Sequence, residues 1–589
     1  MKFAYKILNV ALPALMLMLS ACSDGPDAPV PTPDEDGGEG TYLEVTLGQP
    51  VVSRSNPSGG EAGDGSEVGK DNENAIHTLA LFIYNDTEGR GVNDNPQTPF
   101  VKTVFLDETA LNNAEKTVDA NNPNSITYKF KIGKFTFAEN LRIAVVLNTK
   151  SGTHSIMDVK NLGELRTRLL DQSYSKAANV NDCSWFVMSN AYNTDNHPND
   201  GKLHMPDVDK SLQGTKDHPL TGEVSVERLA ARIDIMLTGG AELLAGSDGI
   251  PKTGGSAIHY QVKESPGIGG AERVTANVYI THIIPLNVMQ KPSYAFKHVT
   301  TGEDIPSDIS YYDVCGNEKM GANGITTNYV VDPNTLKKNG TISASDLGTW
   351  FGATGKDNVY QLVNDINTAY DNNNLTFNDY TRWDRVLPTS IGDWFDTNSD
   401  VPGSKSAILT YANENTVHKD MLDKPTNGTD VLTGLVLRVM YAPTVVYKAF
   451  NATTYELTVD DDYAPKFNNV TRVAPAGPNV TDADCYYFSD WDAAVAFKNA
   501  YPDKHYELTY FKKSTCYYTV WIRHARPDDK QYDRRIPMEY GVVRNNIYRV
   551  GFTFHGPGST EVIDREPEHL QTRIFLRPWR FIRHPEIIM

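Results

Sequence analysis

The sequence predicts a mainly β protein built of β-sandwiches, with a few short helices and long loop insertions. Three observations point there: short apolar or alternating runs recur along the chain, connections rich in Asn, Asp and Gly separate them, and segments of helical period are few. At 589 residues the chain also exceeds a single ordinary core, so more than one domain is expected.

The first element is not part of a fold. Lys2 and Lys6 precede an apolar run, Ile7 to Leu19, broken only by Asn9 and Pro13. The run is shorter than the roughly 20 apolar residues a bilayer crossing needs and has the length of a signal-peptide core, so residues 1–21 read as an export signal. Ser20 and Ala21 lead into Cys22, and this LSAC string resembles the lipobox of bacterial lipoproteins, in which the cysteine is acylated and becomes the first mature residue. Residues 22–41 have little to bury and cannot offset the entropy of being ordered, which makes them a flexible tether. No Lys or Arg lies between Cys22 and Arg54, so attachment to anionic lipid by charge alone is not expected.

The first strand follows. In YLEVTL, residues 42–47, alternation places Leu43, Val45 and Leu47 on one face. LALFIY (79–84) and LRIAVVL (141–147) are short apolar runs of the kind that fill a sandwich core. DVKNLGELRTRLL (158–170) spaces Leu162, Leu165 and Leu169 as one side of a helix. The turn-rich GTKDHPLTG is a natural boundary, giving an N-terminal domain at 42–221 and a C-terminal domain at 222–589. EVSVERLAARIDIML (223–237) opens the second domain, with Val224, Val226, Ile233, Ile235 and Leu237 expected inside. From there to about residue 520 the chain is sparsely strand-like and reads as insertions on a sandwich core, with helices expected at DNVYQLVNDINTAY and SDWDAAVAFKNAYP. Three strands close the chain, within 516–525, 545–556 and 573–582.

Composition narrows the function. The 55 basic and 74 acidic residues give a net charge of −19, which argues against nucleic-acid binding because that requires a basic face. No nucleophile elbow, HExxH helix, phosphate loop or dinucleotide turn occurs, so neither an enzyme nor a cofactor is expected. Cys183, Cys315, Cys485 and Cys516 are widely spaced, without metal-ligand spacing, and read as apolar fillers, a disulfide remaining open. DTNSDVPG places Asp396, Asn398 and Asp400 at alternate positions, as in a calcium loop. Val401 stands where such a loop has Gly and Ala407 where it has Glu, so a solvated turn is the better reading and no metal is expected.

Four stretches carry a resemblance: LSAC, the strand ending in VVSRS, the segment VSVERLAARIDI, and EYGVVRNNIYRVGF followed by RIFLRPWRFI. Together the chain resembles the fimbrillins of the lipoprotein-derived, type V pili of Gram-negative anaerobes, most closely the shaft subunits of the short, minor fimbriae. The resemblance implies two transthyretin-like β-sandwich domains, a precursor held on the outer membrane by lipid on Cys22, and delivery to a surface fimbrium. It also implies cleavage by an arginine-specific protease after Arg54, so that Ser55 becomes the new N-terminus and strand 42–52 is lost with the tether. Arg90 and Lys70 are alternative protease sites. Loss of that strand would bare a groove lined where Leu43, Val45 and Leu47 had been. In this family the groove is filled head to tail by the C-terminal segment of another subunit, here about 573–589, with Ile574, Leu576, Pro578 and Ile582 as candidate plugs. The implied partners are other fimbrial subunits, the protease, the outer membrane and a host or bacterial surface receptor. The rival readings are a non-polymerising outer-membrane lipoprotein that binds glycan or protein, and an anchor or tip subunit of the same pilus.

Overall fold

The computed structural model describes residues 40–48, 67–86, 95–119, 122–149, 155–177, 179–191, 200–237, 241–244, 257–264, 272–300, 329–338, 340–352, 356–371, 396–397, 405–417, 421, 430–463, 468–477, 480–481, 484–524, 540–563 and 570–580. Strands dominate, as the alternation requires, and they form two sandwiches with a smaller α/β unit inserted in the second.

The first sandwich is a nine-stranded sheet folded over on itself. In space its strands run Phe100–Leu106, Leu79–Asn85, Leu141–Leu147, Asp200–His204, Leu220–Arg228, Thr41–Gly48, Asn122–Ile132 and Glu115–Asp119, with Met188–Asn190 off this path. The fold-over is made by Leu220–Arg228. Its first part pairs in parallel with Thr41–Gly48, and its last three residues pair antiparallel with Met188–Asn190. The inward residues of both halves, among them Leu81, Ile83, Ile143, Val145, Tyr128 and Val224, close one apolar core.

The chain leaves this sheet at Arg228 and enters the next at Ala231, so the expected boundary at 221/222 falls inside a continuous strand. A six-stranded sheet, ordered Asp396–Thr397, Lys405–Ala412, Ala231–Met236, Asn546–Phe554, Leu570–Arg580 and Glu67–Val68, packs on a five-stranded one ordered Glu242–Leu244, Ala257–Glu264, Arg273–Leu286, Gly434–Pro443 and Thr515–Trp521. Ile233, Ile235, Val278, Leu437, Tyr518 and Val550 are among the buried residues between them. Val224, Val226, Ile233, Ile235 and Leu237 are all inside, as expected.

The insertion between Gly434–Pro443 and Thr515–Trp521 is a five-stranded sheet, 447–511, with helix Trp491–Ala500 against an aromatic core of Phe488, Phe497 and Tyr506. The Asp490 carboxylate accepts from the Ala493 N–H and caps this helix, and Pro502 follows its end. The helix expected at 357–370 is present as Lys356–Asp371. The one expected at 158–170 is not. Only Leu162–Arg166 is helical, because the Thr167 N–H and hydroxyl close on the Gly163 carbonyl and Leu169–Leu170 then pairs with Ser293–Tyr294, leaving Leu169 44% exposed.

The sandwiches meet at a cluster of buried charge built from the two strings that carried the resemblance. From VSVERLAARIDI, Glu227 accepts from Lys297 at 2.7 Å, Arg228 donates to the Glu73 carbonyl at 3.0 Å, and Arg232 donates to Asp234 at 2.9 Å and to Glu73 at 3.2 Å. The Tyr411 hydroxyl also donates to Glu73. From VVRNNIY, Arg544 donates to Glu414 at 2.6 Å, and Asn545, in the left-handed region at φ 58, accepts from the Arg228 N–H and donates its own N–H to the Ala230 carbonyl. Asn tolerates that backbone geometry better than most residues, which explains its place in the string. Buried charges persist only where partners satisfy them, so these residues fix how the passage between sandwiches folds.

His298 lies in the same region, stacked on Tyr294 at 3.7 Å with its Nε2–H donating to the Arg166 carbonyl at 2.9 Å. Burial above all, opposed by that hydrogen bond and reinforced by positive Arg544 and Arg166, pushes its imidazole down to about 4. The unfolded chain takes up this proton near pH 6.5 whereas the folded one resists it, so stability rises with pH from about 4 to 6.5 and falls as pH drops through that window, by about 3 kcal/mol from this group. Thermal unfolding of His298→Gln at pH 4.5 and 7 is expected to show a smaller acid-side loss than the parent protein; an unchanged loss would refute this assignment.

Candidate functional site: the first-strand slot and the last strand

Thr41–Gly48 is an interior strand, paired on both sides. It runs antiparallel to Asn122–Ile132, with Leu43, Val45 and Leu47 opposite Phe130, Tyr128 and Ile126. On its other side it runs parallel to Leu220–Arg228, with the same three residues opposite Leu220, Gly222 and Val224. Leu43, Val45 and Leu47 are each 0% exposed, the even residues between them half-buried. Outward, the Thr46 hydroxyl meets that of Thr127 at 2.8 Å, and the Tyr42 N–H donates to the Gly214 carbonyl at 2.7 Å.

The slot depends on one close approach. A Cβ on Gly222 would come within 2.9 Å of Ile143 Cδ1 and of Leu203 Cδ2, so a larger residue there would have to push those two side-chain ends aside where the halves of the sandwich close behind Val45. Burying three aliphatic side chains contributes about 5–9 kcal/mol on the usual scale, before the ordering of the strand is counted. Without this strand, two rows of backbone donors and acceptors and an apolar trough would face water together.

The last strand, Leu570–Arg580, is held in the second sandwich of its own chain. It pairs antiparallel with Asn546–Phe554 so that Ile574, Leu576 and Pro578 stand opposite Val550, Tyr548 and Asn546. Val550 and Tyr548 belong to the core. Among the described residues its far side is paired at Trp579 and Arg580, which run parallel to Glu67 and Val68. Pro578, which has no N–H to donate, lies one residue before that pairing. The Glu67–Val68 pairing was not foreseen, since two residues carry no periodicity. Its consequence is that the connection 49–66 joins the first-strand slot of one sandwich to the strand edge of the other.

Cys22, Arg54, Ser55 and Ile582 lie outside the described residues. So do Asn398, Asp400 and Cys315, while Asp396 sits in the short strand Asp396–Thr397. Among the described residues no group of His, Cys, Asp or Glu is placed to hold a metal ion. Cys183 and Cys516 are buried and Cys485 is half-buried, and burial pushes the Cys516 thiol up to about 12. At that value it is an inert apolar filler at neutral pH.

Residues 509–584, which span the strands Thr515–Trp521, Asn546–Phe554 and Leu570–Arg580, match the family model "Major fimbrial subunit protein type IV, Fimbrillin, C-terminal". The resemblance drawn from VVRNNIY and the last strand is thereby borne out for this part of the chain. No curated protein matches the sequence. Among solved structures, a protein of Parabacteroides distasonis ATCC 8503 provisionally described as a cell adhesion protein aligns with 92% of this chain and 100% of its own, at 11% identity and a TM-score of 0.35. A fimbrilin of Porphyromonas gingivalis W83 aligns with 92% of this chain and 99% of its own, at 12% identity and a TM-score of 0.31. The tip fimbrial protein Mfa3 of Porphyromonas gingivalis, truncated at its C-terminus, aligns with 92% and 100%, at 11% identity and a TM-score of 0.30. Likenesses at that level identify no function.

Val45→Asp places a carboxylate in a fully buried slot between Tyr128 and Gly222, and is expected to cost about 3 kcal/mol or more. Hydrogen exchange of the backbone amides at 126–132 and 220–225 should accelerate in that variant while those of 546–554 do not; equal protection in variant and parent would contradict the central placement of this strand.

Proposed function

We propose that this chain is a structural subunit of a surface fimbria, exported as a lipoprotein precursor through Cys22, matured by cleavage after Arg54, and polymerised head to tail by donor-strand exchange. Its partners are then other subunits of the same fibre, the arginine-specific protease that frees Ser55, and the outer membrane that holds the precursor. Adhesion is a property of the assembled fibre.

The observation that supports this reading best is the placement of Thr41–Gly48. A strand in the middle of a sheet, with three fully buried plugs at alternate positions and the rest of the described fold following it in sequence, can be removed to open a strand-shaped groove without severing the chain that follows. A cut after Arg54 leaves Glu67–Val68 and Glu73 on the retained body, so the junction cluster and the cover of the last strand survive maturation. Ile574, Leu576, Pro578 and Ile582 are the donor plugs in this reading. To donate them, the last strand must exchange its nine register pairs with Asn546–Phe554 for those of a neighbour's slot. Backbone pairs given up beside Asn546–Phe554 are replaced by pairs in the neighbour's slot, so the exchange is driven by the apolar trough that cleavage uncovers and not by new chemistry.

Peptide mapping of protein sheared from cells, beside its ladder on SDS gels, tests the reading. A mature start at Ser55 with a ladder is expected, and Arg54→Ala should keep the chain full length and abolish the ladder. An acylated Cys22 start without a ladder would contradict it and leave an anchor or a glycan-binding lipoprotein.

A further inference from the structure

Next to Glu414 in the chain, Asn415 belongs to another buried polar group, centred on the amine of Lys338. Lys338 ends the short helix Thr335–Lys338 and is 0% exposed, and Asp332 and Asn415 are each 1% exposed. Lys338 Nζ donates to Asn415 Oδ1 at 2.6 Å, to Asp332 Oδ2 at 2.7 Å and to the Thr416 carbonyl at 3.0 Å. The buried ring of Trp350 lies over the amine, 5.9 Å from Nζ.

The surroundings fix how the three groups face one another. Asn415 Nδ2 donates to the Val431 carbonyl at 2.9 Å and to Thr433 Oγ1 at 2.7 Å. A carbonyl can only accept, so the amide nitrogen must face Val431 and the amide oxygen must face Lys338. Cγ lies one C=O bond of about 1.23 Å beyond that oxygen, which puts it no more than about 3.8 Å from Nζ. Atoms poised to react stand about 3–3.5 Å apart, so little movement is needed. Asp332 is equally fixed, its Oδ1 accepting from the Asn334 N–H at 2.8 Å and its Oδ2 from the Thr416 N–H at 2.7 Å. Burial pushes the Lys338 amine below the usual lysine range, with Asp332 opposing, and the unprotonated amine is the nucleophilic form. Asp332 is within reach to take the proton it must lose.

We propose that Lys338 and Asn415 join in an intramolecular isopeptide bond, formed by the folded chain itself with Asp332 as the proton acceptor. Nζ gives one proton to Asp332, and its lone pair forms the bond to Asn415 Cγ. As the Cγ–Nδ2 bond breaks, a second Nζ proton passes to Nδ2, which leaves as ammonia. The products are a secondary amide, ammonia and a neutral Asp332 carboxyl, so atoms and charge balance without an oxidant or a cofactor. A buried ion pair, costly to desolvate, is replaced by groups without charge. The bond ties the end of the helix to a residue 77 positions further on, closing the stretch that carries the helices Ala344–Phe351 and Lys356–Asp371. Like a disulfide it restricts the unfolded chain, and unlike one it survives reductant. It owes nothing to cleavage after Arg54 or to strand exchange, so it stands or falls apart from the fimbrial reading.

Mass spectrometry of the full-length chain, reduced, denatured and digested with trypsin, tests this. The expected result is a branched peptide joining Lys338 to Asn415, lighter by one ammonia than the two linear peptides together. Lys338→Met should lack it and, after allowance for the substitution, should be heavier than the parent by that ammonia. The parent's own peptide map is decisive, so the outcome does not depend on how well the variant folds. In Asp332→Asn, compared where it keeps the parent's circular dichroism, the branched peptide should be at least about tenfold less abundant. Recovery of Lys338 and Asn415 from the parent in linear peptides alone would overturn the proposal. A branch from Lys338 to Asp332 with loss of water, or an undiminished branch in Asp332→Asn, would overturn the roles assigned to Asn415 and Asp332.

Discussion

Every feature of the N-terminal sandwich turns on the backbone of the two strands that flank Thr41–Gly48. Residues 126–132 and 220–225 each present a row of donors and acceptors toward the same gap, and only an extended chain of the right length satisfies both rows at once. The apolar residues of that chain must alternate to reach the trough behind Gly222. Any occupant must therefore be a strand with small or medium aliphatic plugs at every second residue, whichever chain it comes from. That requirement is purely geometric, and it is what makes one terminal strand exchangeable for another.

The second constraint is that exchange must not unfold the body. The charge cluster at the junction meets it, because its members come from residues that follow the first strand: Glu73 and the run 227–234, with Lys297, Glu414 and Arg544 from connections later in the chain. Removing the chain before Ser55 touches none of them. The same cluster links the strings VSVERLAARIDI and VVRNNIY through Asn545, so that two stretches more than three hundred residues apart describe one site, with the Arg228 N–H and Asn545 Oδ1 separated by 3.1 Å.

Much of this was legible in the sequence because it rests on local pattern. The alternation of Leu43, Val45 and Leu47, the buried set Val224 to Leu237, and the capped helix at 491–500 follow from period and caps that any reader of the chain can see. What depended on distant pairing was not legible. Nothing in YLEVTLG says that it runs parallel to 220–225 or lies inside its sheet, and nothing in Glu67–Val68 points to Trp579 and Arg580. Leu169 kept the helical period yet lies exposed, because the turn at Thr167 ends the helix and a two-residue pairing with Ser293–Tyr294 takes over. The five-stranded insertion at 447–511 was hidden for the same reason: its strands are short and their order in space differs from their order in sequence.

Cryo-electron microscopy of fibres sheared from cells tests the central claim most directly, by tracing the chain between 126–132 and 220–225. The account predicts that Thr41–Gly48 is gone and that the density there is the segment 570–589 of the adjoining subunit, absent from its place beside Asn546–Phe554. Density for the subunit's own Thr41–Gly48 in that slot, with Leu570–Arg580 still paired to Asn546–Phe554, would contradict it.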